Sequence, residues 1–269
     1  MIKIGCCVNM VADDPAGVGI NRIATLAKLG YDYVEIPLAQ AMALSEEEFA
    51  GLLEMLADNQ LSCIACNNFF PATLRLTGEQ TTPKAEIAAY VEQAIGRALR
   101  LGAKSVVFGS SGAKNIPAGF PYEKAWEQIV ELLQMVDEII GDKPIKVAIE
   151  PLNQEESNLV VNAHEGLALA KAVNRPNIRL LVDFFHLSME NEDVAILGEA
   201  KDYLQHMHLA NPTGRIWPVR GDGVDYRSFF VALSEAGYTG GVSIEAFTDD
   251  FDKSAAEGLL SMREIVSTL

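Results

Sequence analysis

Eight short runs of apolar and β-branched residues alternate with longer segments of helical periodicity along this chain. Such alternation is typical of parallel βα units, in which a helix carries the chain back to the start of the next strand. The predicted strands are Lys3 to Val8, Tyr33 to Pro37, Ser62 to Asn67, Ser105 to Gly109, Lys146 to Glu150, Arg179 to Asp183, Gln205 to Leu209 and Gly241 to Glu245.

Apolar residues at three- and four-residue spacing predict the intervening helices. The clearest are Ile20 to Leu29, Ser45 to Asn59, Lys84 to Leu101, Tyr122 to Ile140 and Phe229 to Ala236. Ser45 stands three residues before Glu48, which is the spacing of a capping box. Gly30, Gly102 and Gly237 follow helical segments, where a left-handed residue commonly ends the helix.

Eight βα units can close into a barrel or form an open, doubly wound sheet. No G-x-G-x-x-G sequence follows a strand, which disfavours the dinucleotide-binding open sheet. No Pro-, Gly- or Ser-rich linker divides the 269 residues, and barrels of this kind use about 250 residues as one domain. We therefore predict an α/β fold, a (β/α)8 TIM barrel, with residues 1–269 as a single domain.

The composition excludes several classes of function. A net charge of −16 would repel nucleic acid and anionic lipid, so we expect neither as a partner. No apolar run approaches the roughly 20 residues that cross a bilayer, and no charged and apolar leader precedes the first strand, so a cytoplasmic protein is expected. The cysteines lie in apolar strand-like runs and are expected to be small buried residues without chemistry.

Acidic residues terminate three late strands, Glu150, Asp183 and Glu245, and a fourth strand supplies His208 near its end. Because side chains alternate across a strand, all four are expected on the inward face. The four strands are consecutive, and their carboxyl ends open on the face where barrel active sites lie. Each acid alone is also explained by pairing with Lys or Arg, but four equivalent positions favour a common site.

Three carboxylates and one imidazole form an oxygen-rich ligand set. Such a set favours Mn²⁺ or Mg²⁺, with Co²⁺ or Zn²⁺ as alternatives. Since unpaired buried carboxylates repel one another, a divalent ion would also remove the cost of gathering them. We therefore predict one divalent metal, most readily Mn²⁺, bound by Glu150, Asp183, His208 and Glu245.

Several motifs resemble those of a known group: EPLNQEES, VDFFHLSMEN, HLANPTGR, RGDGVDY and GYTGGVSIEAF. In this order and spacing they are similar to the xylose-isomerase-like TIM barrel superfamily. The pattern is nearest to the D-tagatose 3-epimerase and D-psicose 3-epimerase family, with hydroxypyruvate isomerases as near relatives. The resemblance covers the whole layout and is sharpest from Lys146 onward.

The resemblance implies that the four ligands hold the metal and that Glu150 and Glu245 are also the catalytic acid and base, one on each face of the substrate carbon. A ketose with polarised oxygens loses a proton to one carboxylate, giving a cis-enediolate, and regains one from the other, which inverts the carbon. With a single working carboxylate, the same site would interconvert an aldose and a ketose. The spacing does not separate these reactions.

The resemblance also implies substrate contacts, each with a structural alternative. His186 matches a histidine that binds substrate oxygens, or it packs against Phe184. Arg215 matches an arginine after the seventh strand, although Arg220 lies near enough to take its place. Glu156 matches a residue that steadies sugar hydroxyls, or it belongs to a solvated acidic loop. Glu35 on the second strand is expected to contact sugar hydroxyls, with a structural role as the alternative.

Gln154, Glu155, Ala210 and Asn211 depart from the residues common in the epimerases, and these departures leave the substrate identity open. The first hypothesis is a metal-dependent ketose 3-epimerase acting on a small, neutral sugar. Hydroxypyruvate isomerase, an inosose dehydratase-like lyase and a non-catalytic sugar-binding barrel are the alternatives. The resemblance further implies a homodimer or homotetramer.

Overall fold

The computed structural model describes residues 2–269. Its eight strands form one closed, parallel barrel in sequence order, a TIM barrel, as predicted. The strands are β1 Lys3–Cys7, β2 Tyr33–Pro37, β3 Ser62–Asn67, β4 Ser105–Phe108, β5 Lys146–Ile149, β6 Ile178–Asp183, β7 Leu204–Leu209 and β8 Gly241–Ile244. Each lies within one residue of its predicted bounds.

The first and last strands pair to close the barrel. Lys3 is in register with Gly241 and Cys6 with Ile244. Because every neighbouring pair is parallel, all eight strands end on the same face, and the loops that follow them meet there.

Helices surround the barrel. They are α1 Ile23–Leu29, α2 Leu38–Ala43, α3 Glu46–Asp58, α4 Lys84–Leu101, α5 Ser111–Lys114, α6 Tyr122–Ile140, α7 Ala163–Val173, α8 Phe184–Met189, α9 Ile196–Glu199, α10 Tyr226–Glu235 and α11 Phe251–Val266, with two 3-10 turns at Val8–Val11 and Ile20–Arg22. Among residues 2–269, none of these helices is long and apolar enough to cross a membrane.

Local signals in the sequence set several helix ends. Ser45 and Glu48 form the expected capping box at the start of α3. Gly30 and Gly102 end α1 and α4 with φ of 91° and 90°, which is the left-handed region that glycine adopts without strain. Two predicted starts were wrong: the segment from Ile20 opens as a 3-10 turn, and α10 begins at Tyr226, where the Asp225 side chain caps it.

The barrel interior is filled in layers. Val107, Ala148 and Leu181 form a small apolar cluster of their own, separate from the main core between barrel and helices. Below the mouth, the Tyr33 ring occupies space left by two glycines: a Cβ added at Gly5 would lie 2.2 Å from it. The apolar cluster and the Tyr33 ring thus fill part of the interior below the mouth of the barrel.

Candidate active site and metal centre

Four buried side chains converge at the mouth of the barrel. Ligand atoms of Glu150, Asp183, His208 and Glu245 all lie within 4.8 Å of one another. His208 and Asp183 stand on β7 and β6, and the two glutamates directly follow β5 and β8. The structure therefore brings together the four residues that strand alternation placed on one face.

The nitrogen and oxygens of this cluster face each other closely. His208 Nδ1 lies 2.9 Å from Glu150 Oε1 and 3.4 Å from Glu245 Oε2. Asp183 Oδ1 accepts a hydrogen bond from the Phe185 amide at 2.9 Å, whereas Asp183 Oδ2 is buried without a hydrogen-bond partner. A buried carboxylate oxygen left unpaired is costly, and a cation among these oxygens would satisfy it.

The electrostatics of the cluster also fit a cation. Burial raises the pKa of Asp183 to about 7, although the Arg215 guanidinium acts in the opposite direction. Burial likewise raises the pKa of Glu150. Burial has the same tendency at Glu245, but Arg215 and His208 outweigh it and lower that pKa to about 2. Carboxyl groups that resist ionisation together are stabilised as anions when a divalent ion joins them.

Glu35 lies inside the barrel on β2, next to His206 and His208. Its carboxylate is fully buried, 0% exposed, and is not among the residues that line the cavity at the mouth. Glu35 Oε1 lies 3.0 Å from His208 Nε2, and Oε2 lies 2.7 Å from His206 Nε2 and accepts from Ser243 Oγ at 2.6 Å. These contacts with His206 and His208 match the structural role that the sequence left as the alternative to a contact with sugar hydroxyls.

This arrangement orients His208. Burial opposes the charge of Glu35, but His208 and His206 outweigh it and hold the pKa of Glu35 well below its usual range. Burial disfavours a charged His208, but nearby Cys7, Glu35 and Glu245 outweigh it and raise the pKa of His208 well above its usual range, so both ring nitrogens carry a proton when no cation is bound. A cation would replace the proton on Nδ1, the nitrogen that lies toward Glu150, while Glu35 would keep the proton on Nε2. A carboxylate behind a histidine ligand is the usual support of a metal site.

His186 lies beside the cluster and is 3% exposed. Asn153 Nδ2 is 3.0 Å from His186 Nδ1, while His186 Nε2 has no hydrogen-bond partner and lies 3.7 Å from Asp183 Oδ2. Burial, aided by the charge of Arg215, lowers the pKa of His186 to about 3, so the ring is neutral. Since the Asn153 amide donates to Nδ1, the proton stands on Nε2, which is left as an unused donor.

Arg215, not Arg220, reaches the site. Arg215 Nη2 donates to Glu245 Oε2 at 2.5 Å, and Nη1 donates to Glu156 Oε1 at 3.2 Å. The guanidinium also lies over the Phe185 ring at 4.8 Å. Arg220 is 82% exposed and pairs with Glu264 on α11, 3.5 Å away. The structure thus places Glu156 beside the four-residue cluster, to which Arg215 links it.

The sequence did not point to three residues that lie next to the cluster: Asn67, Gly109 and Lys114. Asn67 Nδ2, at the end of β3, donates to Glu245 Oε1 at 3.1 Å. Lys114 is 1% exposed, and its Nζ donates to the Gly109 carbonyl at 2.5 Å. Burial lowers the pKa of Lys114 to about 8, against the raising effect of nearby Glu150. Asn67 carried a usable signal, because it is a polar residue at a strand end; Gly109 and Lys114 carried none.

The cavity over the cluster has a volume of about 570 Å³. Glu150, Glu156, Arg215 and Glu245 line one side of it, and residues following β1 to β4 line the other. The cysteines are all free and buried, as expected. Cys7 Sγ lies 3.7 Å from His208 Nε2, and the ligand atoms of Cys7, His208 and Glu245 all lie within 4.8 Å of one another.

Comparison with known proteins agrees with this architecture. The family described as Xylose isomerase-like TIM barrel matches residues 23–265. A D-psicose 3-epimerase of Agrobacterium fabrum is 26% identical over 229 residues, 84% of this chain and 78% of the relative. A probable ketose 3-epimerase of Synechocystis is 31% identical over 202 residues, 72% of this chain and 68% of the relative.

Solved structures share the fold over nearly the whole chain. The D-allulose 3-epimerase of Methylomonas, in complex with D-allulose, superposes with a TM-score of 0.84 at 24% identity, covering 98% of this chain and 96% of the other. A D-psicose 3-epimerase crystallised in the presence of D-fructose gives a TM-score of 0.84 at 22% identity, covering 98% and 99%.

The barrel, its carboxylate and histidine cluster and these relatives define an enzyme of the isomerase class. The chain belongs to the xylose isomerase-like TIM barrel family.

Proposed function

We propose that this protein is a divalent-metal-dependent ketose 3-epimerase. The observation that carries the proposal is the convergence of Glu150 and Glu245 with Asp183 and His208 within 4.8 Å. The ketose 3-epimerases among its relatives support the reaction type. Glu150, Asp183, His208 and Glu245 would hold the metal. A bound divalent ion, with Mn²⁺ as first choice, supplies polarisation of the substrate carbonyl and hydroxyl oxygens.

Glu150 and Glu245 are the proton-transfer residues in this proposal. They follow β5 and β8, so their carboxylates approach the cavity from different sides of His208. One carboxylate removes the proton from C3 of the ketose, and the other returns a proton to the opposite face, which inverts the carbon. Asn67 holds one oxygen of Glu245 and Arg215 the other, so that carboxylate is fixed for the transfer.

His186, Arg215 and Glu156 bind the sugar. His186 does not line the cavity, but its free Nε2–H lies 3.7 Å from Asp183 Oδ2, so it would donate to a substrate oxygen that enters the four-residue cluster. Arg215 and Glu156, which are already joined, offer donors and acceptors to neighbouring hydroxyl groups. A neutral sugar is favoured over a phosphorylated one, because the cationic side chain that lines the described part of the cavity is Arg215, and the carboxylates of Glu156, Asp183 and Glu245 already pair with it.

Inosose isomerization is a second candidate, because an inosose isomerase of Bacillus velezensis is 25% identical over 86% of this chain. Its chemistry also begins with removal of a proton beside a carbonyl. The three-carbon substrate of a hydroxypyruvate isomerase would leave most of the 570 Å³ cavity unfilled. We place the protein in the cytoplasm and expect a homodimer or homotetramer.

The test is proton exchange. Protein loaded with Mn²⁺ is incubated in D₂O with a panel of ketohexoses, ketopentoses, hydroxypyruvate and an inosose, and NMR follows deuterium entry. Deuterium at C3 with formation of the C3 epimer is expected for at least one ketose. Glu150→Gln and Glu245→Gln should each abolish the exchange, whereas Glu155→Gln, an exposed neighbour on the same loop as Glu156, should retain it. Exchange with no ketose, or full exchange in Glu150→Gln, would overturn the proposal.

A further inference from the structure

The cavity at the barrel mouth extends beyond the proposed catalytic cluster. Its far side, here called the outer half, is lined by loops and helix ends that follow β1 to β4. Its lining includes the side chains of Ala16, Gln40, Ala43, Asn68, Phe70 and Ala72. Gln40 and Ala43 belong to α2, Asn68, Phe70 and Ala72 to the segment after β3, and Ala16 to the segment after β1.

Small side chains keep the outer half open. Ala16, Ala43 and Ala72 are exposed residues on three separate segments around it. The segment after β4 packs against Ala72 so closely that a Cβ at Gly112 would lie 2.8 Å from the Ala72 Cβ. A volume of about 570 Å³ lies within the range of roughly 300 to 1,000 Å³ that is usual for pockets that enclose drug-sized ligands.

The chemistry of the outer half suits an uncharged polyol. Gln40 and Asn68 present side-chain amides that are joined to each other only by a long contact of 3.5 Å, so donors and acceptors remain for a ligand. Phe70 is 4% exposed and packs against Phe69 and Phe108, so it presents only a small apolar edge of the cavity wall to a sugar ring. Among the described residues lining this half, none carries a charge, so it offers nothing to a phosphate or carboxylate.

We infer that the outer half is a subsite for a glycosyl group, and that the substrate class of this enzyme is a ketose carrying a neutral sugar on a hydroxyl remote from C3. This inference rests on the proposed function, because it adds a binding group to the same reaction. The ketose portion occupies the side of Glu150 and Glu245, and the glycosyl group lies between Gln40, Asn68 and Phe70. Its glycosidic bond neither forms nor breaks during the epimerisation.

The experiment compares D-fructose with isomaltulose and trehalulose, which are the same ketose bearing a glucosyl group on O6 and on O1. Deuterium entry at C3 gives kcat/KM for each. At least one glucosyl ketose should exceed D-fructose by about tenfold or more, chiefly through a lower KM, because a remote contact contributes binding energy throughout the reaction.

Filling the outer half should remove that preference. In Ala43→Phe and Ala72→Phe the ratio of kcat/KM for the glucosyl ketose to that for D-fructose should fall to one or below. Asn68→Gly removes the amide without straining a backbone that has φ of 50°, and it should lower the ratio as well. Ala85→Phe, an exposed alanine at the start of α4 and outside the cavity, is the matched control and should keep the ratio.

The outcomes separate this inference from the proposed function. Label in D-fructose alone, or a ratio that survives both filling substitutions, overturns the glycosyl subsite and leaves the epimerase proposal standing. Label in none of the three sugars also overturns the subsite, and the ketose panel then decides the proposed function by itself.

Discussion

Gly109 leaves the space that the carboxylate of Glu150 occupies: a Cβ at Gly109 would lie 2.3 Å from Glu150 Oε2. The same residue accepts a hydrogen bond from buried Lys114 through its carbonyl. Lys114 thus holds the backbone at the end of β4, and the missing side chain of Gly109 leaves room for the Glu150 carboxylate. A side chain there would compete directly with a proposed metal ligand and proton-transfer group.

Gly109→Ala is therefore expected to lower kcat/KM by about 10²-fold, because an added methyl group displaces the Glu150 carboxylate from its position over the substrate. Metal affinity should fall as well. Steady-state kinetics and metal titration measure the two effects. Gly96→Ala on α4, where a Cβ would meet nothing within 4 Å, is the matched control. Wild-type activity and metal affinity in Gly109→Ala would show that Glu150 is not held this way.

Glu35→Gln should weaken metal binding by about 10- to 100-fold, which is the usual effect of losing the anion behind a histidine ligand. The amide keeps the shape of the side chain but no longer holds the proton of His208 on Nε2 as strongly. Calorimetric titration with Mn²⁺ measures the change, and circular dichroism checks that the variant is folded. Glu47→Gln on the exposed face of α3 is the control. An unchanged affinity would contradict the positioning role of Glu35.

Removal of metal should destabilise the protein. Chelation is expected to lower Tm and Mn²⁺ to restore it, since a ligand at a hundred times its Kd adds about 2.7 kcal/mol to the free energy of unfolding. Asp183→Asn should lose this response, because it removes the charge beside the unpartnered Oδ2. Metal-free Asp183→Asn should be no less stable than the metal-free wild type near neutral pH, where burial disfavours the Asp183 anion. A full Mn²⁺ response in the variant would exclude Asp183 as a ligand.

Lys114→Met should change the pH dependence of stability. The pKa of Lys114 in the folded protein is about 8, below its ordinary value of 10.5, mainly because of burial. Between these values the unfolded chain holds a proton that the folded chain has released, so raising the pH through this window stabilises the wild type and not the variant. Relative to Lys114→Met, the wild type should gain about 2 kcal/mol between roughly pH 8 and pH 10.

Urea unfolding at a series of pH values measures this difference. Lys124→Met on α6 is the matched control, because that side chain is exposed to water. It removes the same charge as Lys114→Met without changing a buried group. A constant difference between the wild type and Lys114→Met across the series would contradict the assignment. A difference that grows with pH in the opposite direction would do the same.

The sequence by itself determined the strands and the positions of the four clustered side chains that we propose as metal ligands. Apolar residues repeat every second position in a strand and every three or four positions in a helix. Both patterns can be recognised from residues that are close together in the sequence. Once the strands are parallel and inward positions alternate, Glu150, Asp183, His208 and Glu245 must end at one mouth, since parallel strands share an edge. A role for Arg215 and Glu156 at the site could be predicted only from the resemblance to other proteins. The choice between Arg215 and Arg220 required the structure.

Only the tertiary structure decided which other residues contact those four side chains. The pairing of β1 with β8 closes the barrel and brings Glu35 on β2 within reach of His206 and His208 on β7, contacts more than 170 residues apart in the chain. The burial of Lys114 and the space at Gly109 depend in the same way on how separate loops meet. Local patterns fix which face a side chain takes, whereas closure of the barrel fixes which distant side chain it meets, because that distance is set by the packing of the whole chain.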